Sequence, residues 1–321
     1  MSGWSAHDIP DQSGRVAVVT GANSGLGYVA ARELARRGAR VVLACRSEAR
    51  GRAAVERLRG EVPGADAEFG RLDLGDLASV REFGTSYEGR LDLLLNNAGV
   101  MALPYGTTAD GFETQFGVNH LGHFALTGLL LPALLGTPGG GAGPARIVTV
   151  SSMAHLLGSI DLGDLGDLGD LASGNSGRRY RRWVAYGRSK SANLLFTHEL
   201  AHRLAAHGSG VVAASAHPGY AATNLQTAGP RAEGRRVAER LMELGNRVVA
   251  QSAEAGALPA LYAATAPGVR PDSFTGPSFA MWRGAPAPSR RAPWTTDDAV
   301  ARRLWAVSEE LTGVSYDDLK S

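Results

Sequence analysis

Residues 16–27 read VAVVTGANSGLG, and this stretch decides the fold. The apolar run at its start predicts a buried strand, and the glycines that follow predict a tight turn. A helix is expected to run to about Arg37, with Gly38 as its stop. A second apolar strand, Arg40 to Ala44, comes next. Strand, turn, helix and strand in this order predict a βαβ unit with parallel strands.

The same alternation continues along the chain. Helices are expected near 47–59 and after Asp76, and strands near 67–72, 91–95, 146–150 and 211–216. Strands separated by helical segments indicate a parallel sheet covered on both faces. The sequence therefore predicts an α/β fold: a single doubly wound Rossmann-type sheet of about seven strands, with residues 1–321 forming one domain.

Composition excludes several classes of protein. The 33 basic and 31 acidic side chains leave a net charge of +2, so bulk electrostatics gives no reason to expect a nucleic-acid partner. The single cysteine, Cys45, excludes an internal disulfide framework and favours a cytoplasmic location. The first ten residues have no apolar leader, and we expect no membrane span because no stretch approaches the roughly 20 apolar residues required.

The glycine-rich turn has a physical reason. A pyrophosphate can approach the backbone closely only where no Cβ obstructs it, and the helix that follows offers unpaired N–H groups to the phosphates. Arg46 stands at the end of the second strand, where an NAD site usually carries an acidic residue. A guanidinium there suits a 2′-phosphate, so NADP(H) is the expected cofactor.

Tyr186 and Lys190 are four residues apart, so on a helix their side chains emerge from one face. A free tyrosine has a pKa near 10, too high for efficient proton exchange at neutral pH. We expect the lysine ammonium, together with a cationic nicotinamide ring, to lower the pKa of Tyr186. Tyr186 could then act as an acid or a base.

Between residues 14 and 225 the chain resembles the short-chain dehydrogenases/reductases, whose motifs occur in order. They are Thr20 to Gly27, Asp73-Leu74, Asn96-Asn97-Ala98-Gly99, Asn119, Ser151-Ser152, Tyr186 to Lys190, and His217-Pro218-Gly219 with Thr223. The spellings VNHLGHF at 118–124 and SKSAN at 189–193 are similar to the retinol dehydrogenase and WW-domain oxidoreductase branch.

The resemblance implies a role for each matching residue. The implied catalytic set is Asn119, Ser152, Tyr186 and Lys190, in which Ser152 rather than Ser151 binds the substrate oxygen and Asn119 holds a helix bend and a water near Lys190. The implied cofactor contacts are Gly21, Asn23, Ser24, Gly25, Leu26, Gly27, Arg46, Asp73, Leu74, Asn97, Ala98, Gly99, Tyr186, Lys190, Pro218, Gly219 and Thr223.

Two segments lie outside the shared pattern. Residues 156–183 are inserted between Ser152 and Tyr186, and we expect them to form a lid over the substrate that is mobile in its absence. The C-terminal region, at about 226–321, contains Trp282, Trp294 and Trp305 and is expected to complete the substrate wall.

No metal site is expected. His198 and His202 are four residues apart on a predicted helix, but no third ligand is visible near them. The aspartates at 161, 164, 167 and 170 lack the spacing of a calcium loop, and His217 is expected to be structural.

These patterns predict an NADP(H)-dependent enzyme that transfers hydride between the nicotinamide and a carbonyl or alcohol on a fairly apolar small molecule. Two alternatives remain open: a dinucleotide-sensing regulator without turnover, and a reductase of carbon–carbon double bonds, as in the similar light-dependent chlorophyll-precursor reductases. The sequence leaves the substrate and the oligomeric state open, including a homo-oligomer.

Overall fold

A computed structural model describes residues 3–137, 143–160, 180–220 and 251–320. Its strands form one eight-stranded sheet in the order β3-β2-β1-β4-β5-β6-β7-β8, with β1 to β7 parallel and β8 antiparallel to β7. The strands are β1 Val16–Thr20, β2 Arg40–Cys45, β3 Ala67–Arg71, β4 Leu93–Asn96, β5 Arg146–Val150, β6 Val212–Ala216, β7 Phe274–Phe279 and β8 Arg283–Pro288. The predicted doubly wound fold is confirmed.

Helices cover both faces of this sheet. The longer ones are α1 Gly25–Arg36, α2 Glu48–Glu61, α3 Leu77–Thr85, α4 Gly122–Leu135, α5 Arg182–Ala206, α6 Ala253–Thr265 and α7 Asp298–Thr312. A helical turn, Thr114–Phe116, and a π-helical turn, Gly117–Leu121, lead into α4. Short 3-10 segments lie at Ala6–Asp8, Met153–Leu157, Pro293–Thr296 and Asp317–Leu319.

Alternation along the strands divides the core into two layers. Val18 on β1 packs with Val42 and Leu94 on one face, whereas Ala17 and Val19 belong to the cluster on the other face. Successive strand side chains point to opposite faces, so a strand buried on both sides must be apolar at every position. This requirement explains the uninterrupted apolar runs in the sequence.

The C-terminal region adds to the core as well as to the sheet edge. Trp305, expected in the substrate wall, is only 2% exposed and stacks on Phe196 beside Phe124 and Tyr316. That expectation is wrong for Trp305, because α7 turns its apolar face inward and buries the indole. Neither β7 nor β8 was predicted from the sequence. Two prolines and a glycine in β8 are untypical of a sheet interior and occur at an edge.

One segment, Thr114–Leu135, is long and apolar enough to cross a membrane by length and composition. The expectation that no stretch reaches this length is therefore wrong. In the fold this segment is mostly buried against α3, α5 and α7. This burial is typical of a helix that packs between the sheet and its neighbouring helices.

Candidate active site

The turn after β1 and the turn after β4 meet at the carboxyl edge of the sheet, where the strand order reverses. Open α/β sheets bind their ligands in the crevice at this switch point. The Thr20 hydroxyl accepts hydrogen bonds from the backbone N–H groups of Asn97 and Ala98, each at 2.9 Å, and the Asn97 amide donates to the Thr20 carbonyl at 2.8 Å. These bonds hold the two turns as one rigid surface.

Glycine is required in this surface. Gly21 and Gly25 have φ of 66° and 57°, in the left-handed region that favours glycine. A Cβ at Gly27 would lie 2.5 Å from Asn97 Nδ2 and 2.7 Å from the Gly21 carbonyl oxygen, which leaves no room for a side chain. Ser24 is the N-cap residue of α1 and its side chain makes no capping hydrogen bond, so the first amides of the helix stay available to an anion. The turn fits the pyrophosphate of a dinucleotide.

We predict that Gly27→Ala destabilises the fold by about 1–3 kcal/mol, the usual range for overpacking, and weakens dinucleotide binding because Asn97 must move. Urea unfolding and a fluorescence titration with NADPH measure the two effects. Gly60→Ala is the matched control: no atom lies within 4 Å of its Cβ position in α2, and it should gain about 0.5–1 kcal/mol. Equal stability of Gly27→Ala and the parent would contradict the packing argument.

Arg46 and Asp73 lie beside this surface, at the ends of β2 and β3. The Gly21 N–H donates to the Ala44 carbonyl at 2.8 Å, which brings the end of β2 against the glycine turn. The Arg46 guanidinium is 71% exposed and lies 3.8 Å from the Asp73 carboxylate. Leu74, in contrast, is buried in the core, where its backbone packs against Gly122.

Ser152, Tyr186 and Lys190 come together at the end of β5. Tyr186 is buried and its hydroxyl is hydrogen-bonded to the Ser152 side chain. The Lys190 ammonium, 5.8 Å from the centre of the Tyr186 ring, donates to the Val150 carbonyl at 3.0 Å. Ser151 faces elsewhere, because its hydroxyl donates to the Lys190 carbonyl at 2.8 Å. The arrangement places one hydroxyl, one phenol and one cation around a single point.

Burial shifts the pKa of both ionisable groups, and for Tyr186 the shift is opposite to the expected one. It raises the pKa of Tyr186 to about 12, and the Ser152 hydrogen bond opposes this only in part. Burial also lowers the pKa of Lys190 to about 8. The expected lowering of the tyrosine pKa is therefore not found in the protein without its cofactor, because burial disfavours the charged phenolate. A pKa this high favours the protonated phenol at neutral pH, the form that can donate a proton.

Asn119 connects α5 to the chain that follows the turn after β4. It lies in the π-helical turn, where its side-chain carbonyl accepts from the Val100 N–H at 2.8 Å and its amide donates to Val100 and Ser189, each at 2.9 Å. A Cβ at Gly99 would lie 3.0 Å from the Asn119 oxygen and 3.5 Å from the Lys190 nitrogen, so all three adjoin one space. The family resemblance implies that Asn119 holds a helix bend, and the structure places this residue in the π-helical turn that leads into α4.

His123 was missed as a site residue. Its Nδ1 lies 3.0 Å from the Asn119 carbonyl and its Nε2 lies 3.0 Å from the Thr20 hydroxyl. Burial lowers its pKa to about 4, so the ring is neutral, donates to the carbonyl and accepts from the hydroxyl. It joins the glycine turn to the Asn119 turn. A second histidine in an apolar segment gives no sequence signal for this contact.

The loop after β6 completes the edge as far as residue 220. Pro218 accepts a hydrogen bond from Gln251, and Gly219 has φ of 66° with no room for a Cβ, which would lie 2.4 Å from the Trp282 carbonyl. His217 contacts Ser289 and the Gly219 N–H, as a structural residue would. Thr223 lies outside the described residues.

The described C-terminal end of the inserted segment contacts Tyr186 and the helical turn before Asn119. The Tyr180 hydroxyl donates to Glu113 at 2.8 Å and accepts from Gln115 at 2.7 Å. Trp183 is 48% exposed and its ring meets that of Tyr186 edge-on at 6.2 Å. The expected mobile lid falls mainly on residues 161–179, as do the four aspartates, and these lie outside the described residues.

Sequence comparison agrees with this geometry: the chain belongs to the short-chain dehydrogenase family, whose model matches residues 15–163. It is an oxidoreductase of a family that binds NAD or NADP, and it lies in the retinol dehydrogenase-like branch.

Mouse retinol dehydrogenase 12 is 40% identical over 95% of this chain and 88% of its own length. Human retinol dehydrogenase 13 is 42% identical over 96% and 87%. A crystal structure of an uncharacterised Mycobacterium paratuberculosis protein aligns with a TM-score of 0.78 and 45% identity, over 98% of this chain and 99% of that one.

Proposed function

We propose that this chain is an NADP(H)-dependent oxidoreductase that interconverts a carbonyl and an alcohol on a fairly apolar molecule. The observation that carries the proposal is the buried Tyr186 hydroxyl, which is hydrogen-bonded to the Ser152 side chain, with the Lys190 ammonium 5.8 Å from the centre of its ring. A reduced nicotinamide supplies hydride when bound. Ser152 and Tyr186 bind the carbonyl oxygen, and Tyr186 donates the proton that the oxygen needs as hydride reaches the carbon.

Lys190 and the turns hold the partners of this step in place. The Lys190 ammonium supplies positive charge beside the phenol, which offsets the charge left when Tyr186 gives up its proton. Asn119, through Ser189 and Val100, positions the lysine and the turn after β4. The phosphate-binding turn consists of Gly21, Asn23, Ser24, Gly25, Leu26 and Gly27, and the residues toward the nicotinamide are Asn97, Ala98, Gly99, Pro218 and Gly219. The family resemblance implies a cofactor contact for Thr223 as well.

The apolar substrate class is supported by exposed apolar side chains that are close in sequence to Ser152 and Tyr186. Leu156 and Leu157 follow Ser152 within five residues and are 46% and 60% exposed, and Trp183 precedes Tyr186 by three residues. Exposed apolar side chains beside a buried polar site favour a ligand with an apolar body and one polar end. Retinaldehyde has this form, and the names of the relatives make it a reasonable first substrate.

The test is NADPH consumption, followed by absorbance, with retinaldehyde and a panel of apolar aldehydes and ketones. Turnover with analysed alcohol products supports the proposal. NADPH binding without turnover on any carbonyl would indicate the dinucleotide-sensing regulator, and a saturated carbonyl product would indicate the double-bond reductase.

Cofactor choice depends on Arg46. A charge-assisted hydrogen bond to a 2′-phosphate is worth about 1.5–3 kcal/mol. We expect the lower half of this range, because the guanidinium is 71% exposed and shared with Asp73. Arg46→Asp should therefore lower the ratio of kcat/KM for NADPH over NADH by at least about tenfold.

The control for this change is Arg52→Asp, since Arg52 is 68% exposed and also paired with an acidic neighbour, Glu48. Both variants and the parent are compared at one fixed ionic strength, because salt screens exposed charges. A parent that prefers NADH, or an equal effect of the two variants, would show that Arg46 does not bind the cofactor.

A further inference from the structure

Away from the candidate active site, two helices bring three metal-ligating side chains together. His198 and His202 lie one turn apart on α5, with ring centres separated by 4.3 Å. Asp298, the first residue of α7, lies against both, and one ligand atom from each of the three residues falls within 4.8 Å of the others. The sequence predicts no metal here because the third ligand is 100 positions from His198, and the fold supplies it.

The distances suit a small divalent ion. The Asp298 carboxylate oxygen lies 2.8 Å from His198 Nε2 and 3.9 Å from His202 Nδ1. Ligand atoms bound tetrahedrally to zinc at 2.0–2.1 Å are about 3.4 Å apart, between these two values. The side chains of His202 and Asp298 are 53% and 55% exposed, so small rotations of their side chains suffice to close around an ion.

A carboxylate already orients the buried histidine. His198 Nδ1 lies 2.7 Å from Asp272 Oδ2, and the Arg291 guanidinium donates to the other oxygen of Asp272. Arg291 is itself held by the carbonyls of Leu194 and Thr295. A histidine that donates one ring N–H to a carboxylate presents its other nitrogen as a ligand, which is the usual arrangement around protein-bound zinc.

We propose that His198, His202 and Asp298 bind one divalent transition-metal ion of the zinc type, with water in the fourth position. Two imidazoles and one carboxylate favour zinc, whereas calcium and magnesium prefer sets of oxygen ligands. The ion joins α5 to the start of α7. His198 follows Tyr186 by twelve residues on α5, about 18 Å along the helix, so this site is separate from the proposed chemistry.

The same contacts would also occur if a protonated His198 simply bridged Asp272 and Asp298. His202 separates the two arrangements, because among the described contacts it makes no hydrogen bond and reaches Asp298 only at 3.9 Å. Its removal leaves the bridge intact but removes a metal ligand. It is exposed, so His202→Ala should fold as the parent does.

The experiment is calorimetric titration of the chelator-treated full chain with ZnCl2, together with visible absorption of added Co²⁺ and the Tm with and without Zn²⁺. We expect one equivalent bound and a higher Tm in the parent, at least tenfold weaker binding in His202→Ala and Asp298→Asn, and no Tm increase in either variant. His7→Ala, which removes another exposed histidine, should bind as the parent does.

Each contrary result overturns the proposal. If the parent binds no Zn²⁺, the contacts are explained by a protonated His198 that bridges Asp272 and Asp298. If His202→Ala binds Zn²⁺ as tightly as the parent, the ion binds elsewhere. An equal Tm increase with Mg²⁺ would show that the site does not select the zinc type.

Discussion

Tyr186→Phe should lower kcat for carbonyl reduction by about 10²–10⁴-fold, the usual contribution of a positioned acid, while the dissociation constant of NADPH stays within a few-fold. The ring still fills its buried position, and only the proton and the Ser152 hydrogen bond are lost. Single-turnover kinetics and a fluorescence titration measure the two quantities.

Tyr316→Phe is the matched control, since it removes another buried tyrosine hydroxyl, one that donates to the Phe124 carbonyl at 2.7 Å. It should cost about 1 kcal/mol of folding stability, as expected for one hydrogen bond, with kcat unchanged. An active Tyr186→Phe enzyme would show that Tyr186 is not the proton donor.

Lys190→Met should lower kcat/KM by a similar factor and also weaken NADPH binding, because the family resemblance implies that Lys190 also contacts the cofactor. Methionine keeps most of the side-chain volume, so the loss reports the charge. The Val150 carbonyl keeps the Asn193 amide as a partner at 3.1 Å, and we therefore expect the variant to fold.

The pH dependence of the parent's activity distinguishes the effect of the Lys190 charge from the effect of its packing. The pKa of Lys190 is lowered to about 8 and that of Tyr186 is raised to about 12, so raising the pH removes the lysine charge first. The parent's kcat/KM for reduction, which reports the free enzyme, should be level below about pH 8 and fall above it, whereas Lys190→Met should show no such fall. Unchanged NADPH binding in Lys190→Met, or a parental profile level to pH 10, would contradict this role.

Short sequence patterns were sufficient to predict most strands, the glycine turn and the shared helix face of Tyr186 and Lys190, because each of these depends on neighbouring residues only. Apolar runs located six strands to within about two residues, since a strand buried on both faces admits few polar side chains. Glycine positions located the turn after β1, and the spacing of Tyr186 and Lys190 located two groups on one helix face. The Ser152, Tyr186 and Lys190 side chains do meet in the fold.

Burial and contacts between residues far apart in the sequence could not be predicted from such patterns. The direction of the Tyr186 pKa shift depends on how deeply the fold buries the phenol, which no spacing reveals. The contact of His123 with Thr20 spans 103 positions, and that of His198 with Asp298 spans 100. Trp305 was misplaced for the same reason, because its surroundings come from α4 and α5 rather than from its own segment.

The central claim is hydride transfer to a carbonyl carbon with proton transfer from Tyr186, and isotope labelling tests it most directly. NADPH deuterated at C4 of the nicotinamide, on either face in separate reactions, is incubated with retinaldehyde or the best carbonyl substrate, and the product is analysed by mass spectrometry and NMR. One of the two cofactors should place a single deuterium on the carbinol carbon of an alcohol, in a reaction that Tyr186→Phe fails to carry out. Deuterium on a former double-bond carbon of a product that keeps its carbonyl, or an alcohol formed equally by Tyr186→Phe, would contradict the account.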